Sequence, residues 1–238
     1  MGKAGSALLA AAITVWAPCA LAQPAQDEIV VTANKRGAVR AQDLPLAMSV
    51  FGEDDLRARN VEDLQSLSFA MPNVQLEDIG TARGIANFAI RGVGVNSSIA
   101  SVDPAVGVFV DGLHLGLNAG TITDAFDVEA IEVLRGPQGA LYGRNVTGGA
   151  VLVRTRAPSE IFEARGRVAI ETGPNLVTEA ALSGPIAENL LYGRIAALHS
   201  DDEGWFENAG GSQFGANETD AWRASLLLTP SRDIDVTL

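Results

Sequence analysis

Leu134-Arg-Gly-Pro-Gln-Gly-Ala-Leu-Tyr-Gly-Arg-Asn-Val-Thr-Gly-Gly-Ala-Val151 is the stretch on which the fold turns. Glycines at 136, 139, 143, 148 and 149 surround Arg135 and Arg144. Glycine serves turns that need positive φ or a close approach of backbone to another surface. Val128 to Leu134 reads as a strand before the loop, and Ala150 to Arg154 as a strand after it. The stretch is therefore a shaped, glycine-hinged connection between two strands, carrying guanidinium groups. It is not a phosphate cradle: its spacing fits neither G-x-x-x-x-G-K-[ST] nor G-x-G-x-x-G, and it holds no lysine.

Upstream, Lys3, the apolar run Ala7 to Trp16 and Ala20-Leu21-Ala22 before Gln23 have the pattern of a cleaved secretory signal. The run is too short to span a membrane. The single cysteine, Cys19, lies inside this segment, so the mature chain has no disulfide framework. Lys3 is the segment's only charged residue, and its removal takes the formal charge from −12 to −13. That balance argues against nucleic acid as a partner, which wants a basic face. No apolar run of about 20 residues follows the signal, so membrane contact requires strands, whose alternation hides from hydropathy.

Asp27-Glu28-Ile29-Val30-Val31-Thr32-Ala33 places four β-branched residues in a row near the exported terminus. It reads as a strand able to add to a partner by β-augmentation. Gly37 to Asp43 is a polar link. Pro45 to Phe51 reads as a strand, and Gly52-Glu53-Asp54-Asp55 opens a short helix with acids in its first turn. Asn60 is the expected N-cap of a second helix that carries Val61, Leu64 and Leu67 and stops at Pro72. Val74 to Leu76 and Phe88 to Arg91 are expected strands. Ala105 to Val110 and Leu113 to Leu115 form a hairpin around Asp111-Gly112. Short helices with a small mixed sheet define an α+β domain of ordinary size.

From Phe162 the period becomes two. Phe162, Ala164, Gly166, Val168 and Ile170 alternate with Glu163, Arg165, Arg167, Ala169 and Glu171, the texture of a tilted membrane-spanning strand. Further strands are expected over Leu176 to Ser183, Leu190 to Ser200, the segment around Trp222 to Leu228, and from Ile234. Turns are expected at Gly173–Asn175, Gly184–Asn189 and Pro230–Asp233, and a long loop over Asp201–Asn217. Long loops face outward in bacterial barrels and short turns face the periplasm. Such a number of strands cannot close a barrel, which needs at least about eight. The expectation is an incomplete transmembrane β-barrel, part of a longer product.

The sequence resembles the N-terminal part of TonB-dependent outer-membrane receptors. The resemblance rests on Asp27 to Ala33, Phe88-Ala-Ile-Arg-Gly92, Val108-Phe-Val-Asp-Gly112, Ile131-Glu-Val-Leu-Arg-Gly-Pro137 and the loop to Gly149. It implies a signal peptide over 1–22, a TonB box and linker over 23–43, a plug over 44–157 and the first antiparallel barrel strands over 158–238. It implies uptake of a scarce nutrient, most typically a ferric siderophore-type complex, driven through TonB. Glu28, Ile29, Val30, Val31, Thr32 and Ala33 would bind TonB. Arg91, Arg135 and, more weakly, Arg144 would meet glutamates of the barrel wall, where a planar guanidinium grips a carboxylate at two points. Arg83, Asn87, Asn96, Ser97, Ser98 and Asn118, in the loops 80–87, 96–103 and 115–123, are the candidate ligand contacts. The resemblance places the protein in the outer membrane and calls for no cofactor and no resident metal.

Enzyme chemistry finds little footing. His114 and His199 are the only histidines, and no G-x-S-x-G elbow occurs. The competing reading is a barrel-less periplasmic protein that occupies TonB without transport. The coding sequence downstream of Leu238 separates the two.

Overall fold

The computed structural model describes residues 30–31, 39–40, 43–79, 85–97, 99, 102–117, 125–171, 175–204, 206–207, 213–231 and 234–238. The first elements, β1 (Val30–Val31) and β2 (Val39–Arg40), pair antiparallel, with Val30 opposite Arg40 and Val31 opposite Val39. The second of these strands therefore lies in a segment that reads from sequence as a plain polar link.

The α+β unit continues as β3 (Met48–Gly52), α1 (Glu53–Ala58), α2 (Leu64–Ser68), β4 (Val74–Asp78), β5 (Ala86–Ile90), β6 (Val93–Gly94), β7 (Val106–Val110), β8 (Leu113–Leu115), β9 (Val128–Arg135), α3 (Gly139–Tyr142) and β10 (Gly149–Thr155). One sheet has the order β3-β9-β10-β7-β8 and the other β4-β5-β6. Among the described residues only the β10–β7 pair is parallel. Alternate residues of the larger sheet enter two cores. Val108, Ile131, Val133 and Val151 pack with Leu64, Leu67 and Ile90, while Phe109, Leu134 and Ala150 pack with Val146 on the reverse side. Burial on both faces is why β7 and β9 read as near-continuous apolar runs.

Asn60 does not cap α2. It takes φ +49° and ends α1, with Asn60 N–H donating to the Arg57 carbonyl and Val61 N–H to the Leu56 carbonyl. This 5→2 and 6→1 pair is a Schellman ending, for which asparagine tolerates the left-handed conformation. Asp63 is the N-cap instead. Its side chain accepts from Ser66 N–H at 2.6 Å, and the Ser66 hydroxyl closes the box on Asp63 N–H. Arg91 lies in the turn after β5, with φ +53°, and is not a strand residue. The hairpin at Asp111-Gly112 has φ +49° and +83°, the mirror-image turn that asparagine, aspartate and glycine favour.

The membrane-type strands are β11 (Glu163–Glu171), β12 (Asn175–Ala187), β13 (Leu191–Asp202), β14 (Phe206–Glu207), β15 (Gln213–Phe214), β16 (Asn217–Ser231) and β17 (Ile234–Thr237). An antiparallel sheet runs β11-β12-β13-β16-β17, and β14 with β15 forms a small hairpin inside the long loop. Gly184-Pro185 is not a turn: β12 continues through it. Pro185 lies opposite Tyr192 and the register shifts before Ala187 pairs with Leu191, a bulge that accommodates a residue without N–H. The turn is Glu188 to Leu190. Pro230 likewise lies within β16, beside a register shift.

The sheet has two unlike faces. Val168, Ile170, Leu182, Ile195 and Trp222 stand exposed on one, as residues that face lipid do. The other buries Val177, Ala196 and Leu198 against Phe126 of the α+β unit. Among the described residues no helix is long and apolar enough to cross a membrane, which says nothing of strands.

Gly149 joins the signature loop to β10 at φ +154°, where an added Cβ would fall 2.2 Å from the Leu134 carbonyl oxygen. Gly149→Ala is expected to destabilise the unit by about 1–3 kcal/mol through overpacking. Faster hydrogen exchange in β9 and β10 would report it, and unchanged exchange would contradict the packing argument.

Candidate functional site at the plug–wall interface

The α+β unit touches the inner wall through charge. The segment before β9 is set by Ala125 N–H donating to the Glu62 carbonyl at 2.8 Å, and Asp127 takes φ +53°. That turn aims the Asp127 carboxylate at the wall. Arg194 of β13 meets it with two nitrogens: Nε lies 2.9 Å from Oδ2 and 3.2 Å from Oδ1, and Nη2 also donates to Oδ1. The two side chains are only 6% and 4% exposed, so this ion pair sits out of water. Arg223 of β16 lies beside it. Its Nη1 donates to the Phe126 carbonyl at 3.1 Å and the Asp127 carbonyl at 3.3 Å, and its guanidinium sits 4.6 Å over the Phe126 ring.

Glu53 forms a second node. At the start of α1 it pairs with Arg57 one turn on, with Arg156 after β10, and with wall residue Arg165 at 2.9 Å. Arg156 also approaches Asp127 at 3.9 Å and so links the two nodes. Higher on β11, Arg167 donates to Glu179 at 2.8 Å and to the Asn60 side chain at 2.7 Å. Burial pushes the Glu53 carboxyl upward, but the Arg156 hydrogen bond and the charges of Arg156, Arg165 and Arg57 together hold it below its ordinary value.

Between unit and wall lies a cleft of about 810 Å³. Asn175, Ser200, Asp202, Asn217 and Thr219 line it at the long-loop end of the strands. The Glu53 and Asp127 nodes line it farther along the strands, where Arg165 lies opposite Ala181 and Arg194 opposite Ser183.

Two of the arginines expected from sequence have partners within the unit. Arg135 donates to Ser49 within the unit at 2.6 Å, and its Nε is buried without a partner among the described residues. Arg144 and Asn145 both donate to Asp103, each at 3.1 Å. Arg91 is exposed in its turn. The described charge contacts with the wall run from wall arginines to plug carboxylates. Asn87 belongs to β5 opposite Glu77, not to a loop, while Asn96 is exposed and Ser97 accepts from Ile99 N–H. Glu28, Ile29, Thr32, Ala33, Arg83, Ser98 and Asn118 lie outside the described residues. In the signature loop, Tyr142 packs on Phe109, which stacks on His114; burial and the nearby Glu132 push the Tyr142 hydroxyl up to about 12.

Sequence reading passed over Glu53, Asp127, Arg194 and Arg223. One signal was available: Arg165, Arg167, Arg194 and Arg223 all occupy inward positions of strands whose outward positions are mainly apolar. His199, Glu218 and Asp220 bring three potential metal ligands within 4.8 Å of one another, but on the outward, exposed face.

A small α+β unit clamped to the inner face of antiparallel, apolar-backed strands is a plug against a barrel wall. The profile of the TonB-dependent Receptor Plug Domain matches residues 40–150. The chain is 30% identical over 209 residues to the pesticin receptor of Yersinia pestis, which covers 86% of this chain and 30% of that protein. It is 28% identical over 174 residues to the ferrioxamine B receptor of Salmonella typhimurium, covering 68% and 24%. The solved ferric yersiniabactin uptake receptor from Yersinia pestis superposes with a TM-score of 0.67 at 30% identity, over 78% of this chain and 29% of that one. The ferripyoverdine receptor of the outer membrane of Pseudomonas aeruginosa, at 17% identity, shares the fold with a TM-score of 0.72 over 87% of this chain and 26% of its own. The chain belongs to the TonB-dependent receptor family, and it spans about 30% of the length of its pesticin-receptor relative.

Asp127→Asn leaves Arg194 buried beside a neutral partner, and breaking such a pair costs about 3–5 kcal/mol. Limited proteolysis should cut earlier near residues 125–128; an unchanged pattern would show the pair to be dispensable. Glu53 gives a pH dependence. Its depressed carboxyl stabilises docking fully above its ordinary value of 4.5, and that contribution is lost as pH falls through its lower folded value. Proteolytic protection of α1 should therefore fall on acidification below that range, and should fall less in Glu53→Gln.

Proposed function

We propose that this chain is the plug-bearing part of a receptor that imports a ferric siderophore-type complex across the outer membrane, energised through TonB. The observation that carries the reading is the plug itself, seated by ion pairs on the inner face of strands whose outer face is apolar. An ionic interface suits a body that must be held and yet released, because carboxylate and guanidinium regain hydration when they separate. The names of the relatives favour an iron complex as cargo: a ferrioxamine B receptor and a ferric yersiniabactin uptake receptor.

Within this reading Glu28 to Ala33 is the coupling segment. Val30 and Val31 already pair in a two-residue strand with Val39 and Arg40. A TonB strand would replace β2 in that pairing, with backbone hydrogen bonds supplying affinity. Arg135, with a buried and unpartnered Nε, is suited to receive a carboxylate from elsewhere in the receptor. The loops holding Arg83, Asn96, Ser97, Ser98 and Asn118 would contact the cargo.

Val30→Pro removes a backbone donor from the coupling strand. Uptake of radioiron-loaded yersiniabactin or ferrioxamine B by the complete receptor should drop to the level of a host lacking TonB, with surface binding retained. Normal uptake would remove Val30 from the coupling segment.

A further inference from the structure

We propose that His199, Glu218 and Asp220 bind a divalent transition-metal ion at the outer rim of the lipid-facing surface, with an open coordination position turned to a lipid phosphate. The inference rests on the outer-membrane placement of these strands and not on the cargo. The three side chains come from the paired strands β13 and β16, so a hydrogen-bonded ladder holds their spacing. His199 lies directly opposite Asp220, and Glu218 stands two residues before Asp220 on the same face. One ligand atom from each lies within 4.8 Å of the other two. His199 Nδ1 and Asp220 Oδ1 are 2.8 Å apart. Two ligand atoms about 2.1 Å from one ion, at right angles to each other, lie roughly 3 Å apart, so an ion fits that pair. An imidazole–carboxylate pair alone would account for these two groups, but not for the second carboxylate brought to the same point. Imidazole with carboxylates suits Zn²⁺ and its neighbours in the transition series, whereas Ca²⁺ takes an all-oxygen shell. Three protein ligands with a further position free is the open form of such a site.

The position of the cluster says what fills the open place. Next on the same face comes Trp222 opposite Ala197, then Ala224 opposite Ile195, and both Trp222 and Ile195 are exposed. An outward tryptophan belongs to the aromatic girdle at the membrane boundary. One row of the sheet sets Ile170 opposite Leu176, Leu176 opposite Asp201, and Asp201 opposite Glu218. That row is apolar on β11 and β12 and acidic on β13 and β16, so it crosses the edge of the apolar band, as rows of tilted strands do. The cluster therefore stands at headgroup level. Its charge has the wrong sign for that place. Anionic headgroups attract lysine and arginine. Among the described residues the outward positions of β11, β12, β13 and β16 carry neither; besides His199, the ionisable groups there are Asp201, Glu218 and Asp220. Bare carboxylates and phosphates would repel each other. A divalent ion held by the protein reverses the local sign, and a phosphate oxygen is an anionic ligand able to complete its shell.

The test titrates Zn²⁺ into the complete receptor in detergent micelles, by calorimetry, after a chelator has stripped bound metal. The parent should take up one more ion per receptor than His199→Ala or Asp220→Asn, with heat-modifiable gel mobility showing that each variant is folded. His199→Cys supplies a thiolate in place of the imidazole and should restore the ion. Equal stoichiometry in the parent and His199→Ala would overturn the site. The same titration is then run in micelles doped with phosphatidic acid or with phosphatidylcholine, and His199→Ala in each lipid serves as the blank. The affinity of the site for Zn²⁺ should rise several-fold with phosphatidic acid alone. The same affinity in both lipids would overturn the phosphate ligand. A spin label at Ile195→Cys, in the receptor reconstituted into bilayers, reads the placement of the strands. Access to oxygen but not to a soluble nickel chelate shows lipid over this face. With lipid there and no phosphate effect, the bridge alone is wrong. With the chelate reaching Ile195→Cys, the outer-membrane placement has failed first.

Discussion

Asp127 and Arg194 meet where both have left water, and the placement of the plug depends on that meeting. A carboxylate and a guanidinium at 6% and 4% exposure are tolerable only as partners. Their geometry is over-determined: a left-handed Asp127 backbone aims the carboxylate, two guanidinium nitrogens receive it, and Arg223 takes up the flanking carbonyls. Shape alone would let the plug slide along a wall of alanines such as Ala169, Ala181 and Ala196. The directional pair fixes one register between them.

The rest of the plug is built so that this register means something. Its larger sheet is buried on both faces, with Val133 and Leu134 entering opposite cores, so β9 is a rigid rod. Asp127 rides on the start of that rod. The signature loop closes its far end, where Gly149 passes too close to Leu134 for any side chain. In contrast, β3 and α1 lie at the sheet edge, and their link to the wall runs through the more exposed Glu53. One domain thus combines a fixed side and a loosely held side.

Much of this was legible in the residues. The glycine-rich loop, the Asp111-Gly112 hairpin and the two-residue period from Phe162 each depend on local chemistry, and each was found where expected. Errors arose where two local readings compete. Asn60 can cap a helix or end one, and the Arg57 and Leu56 carbonyls decided for an ending. Pro185 signals a turn in isolation, but a bulge let β12 run past it. The contacts of Arg135 with Ser49 and of Arg144 with Asp103 are a different case: strand patterning does not forecast them, and they stand beside, not against, the pairing with barrel glutamates expected for both arginines.

By itself the sequence determined the family signature, the alternation of the wall strands and the order of most elements, because these arise from backbone preference and side-chain period within a few residues. Tertiary structure decided which charges meet. Asp127 and Arg194 are 67 residues apart in the chain, and no local preference couples them. Their pairing exists because the fold buries both at one point, where a charge without a partner could not remain.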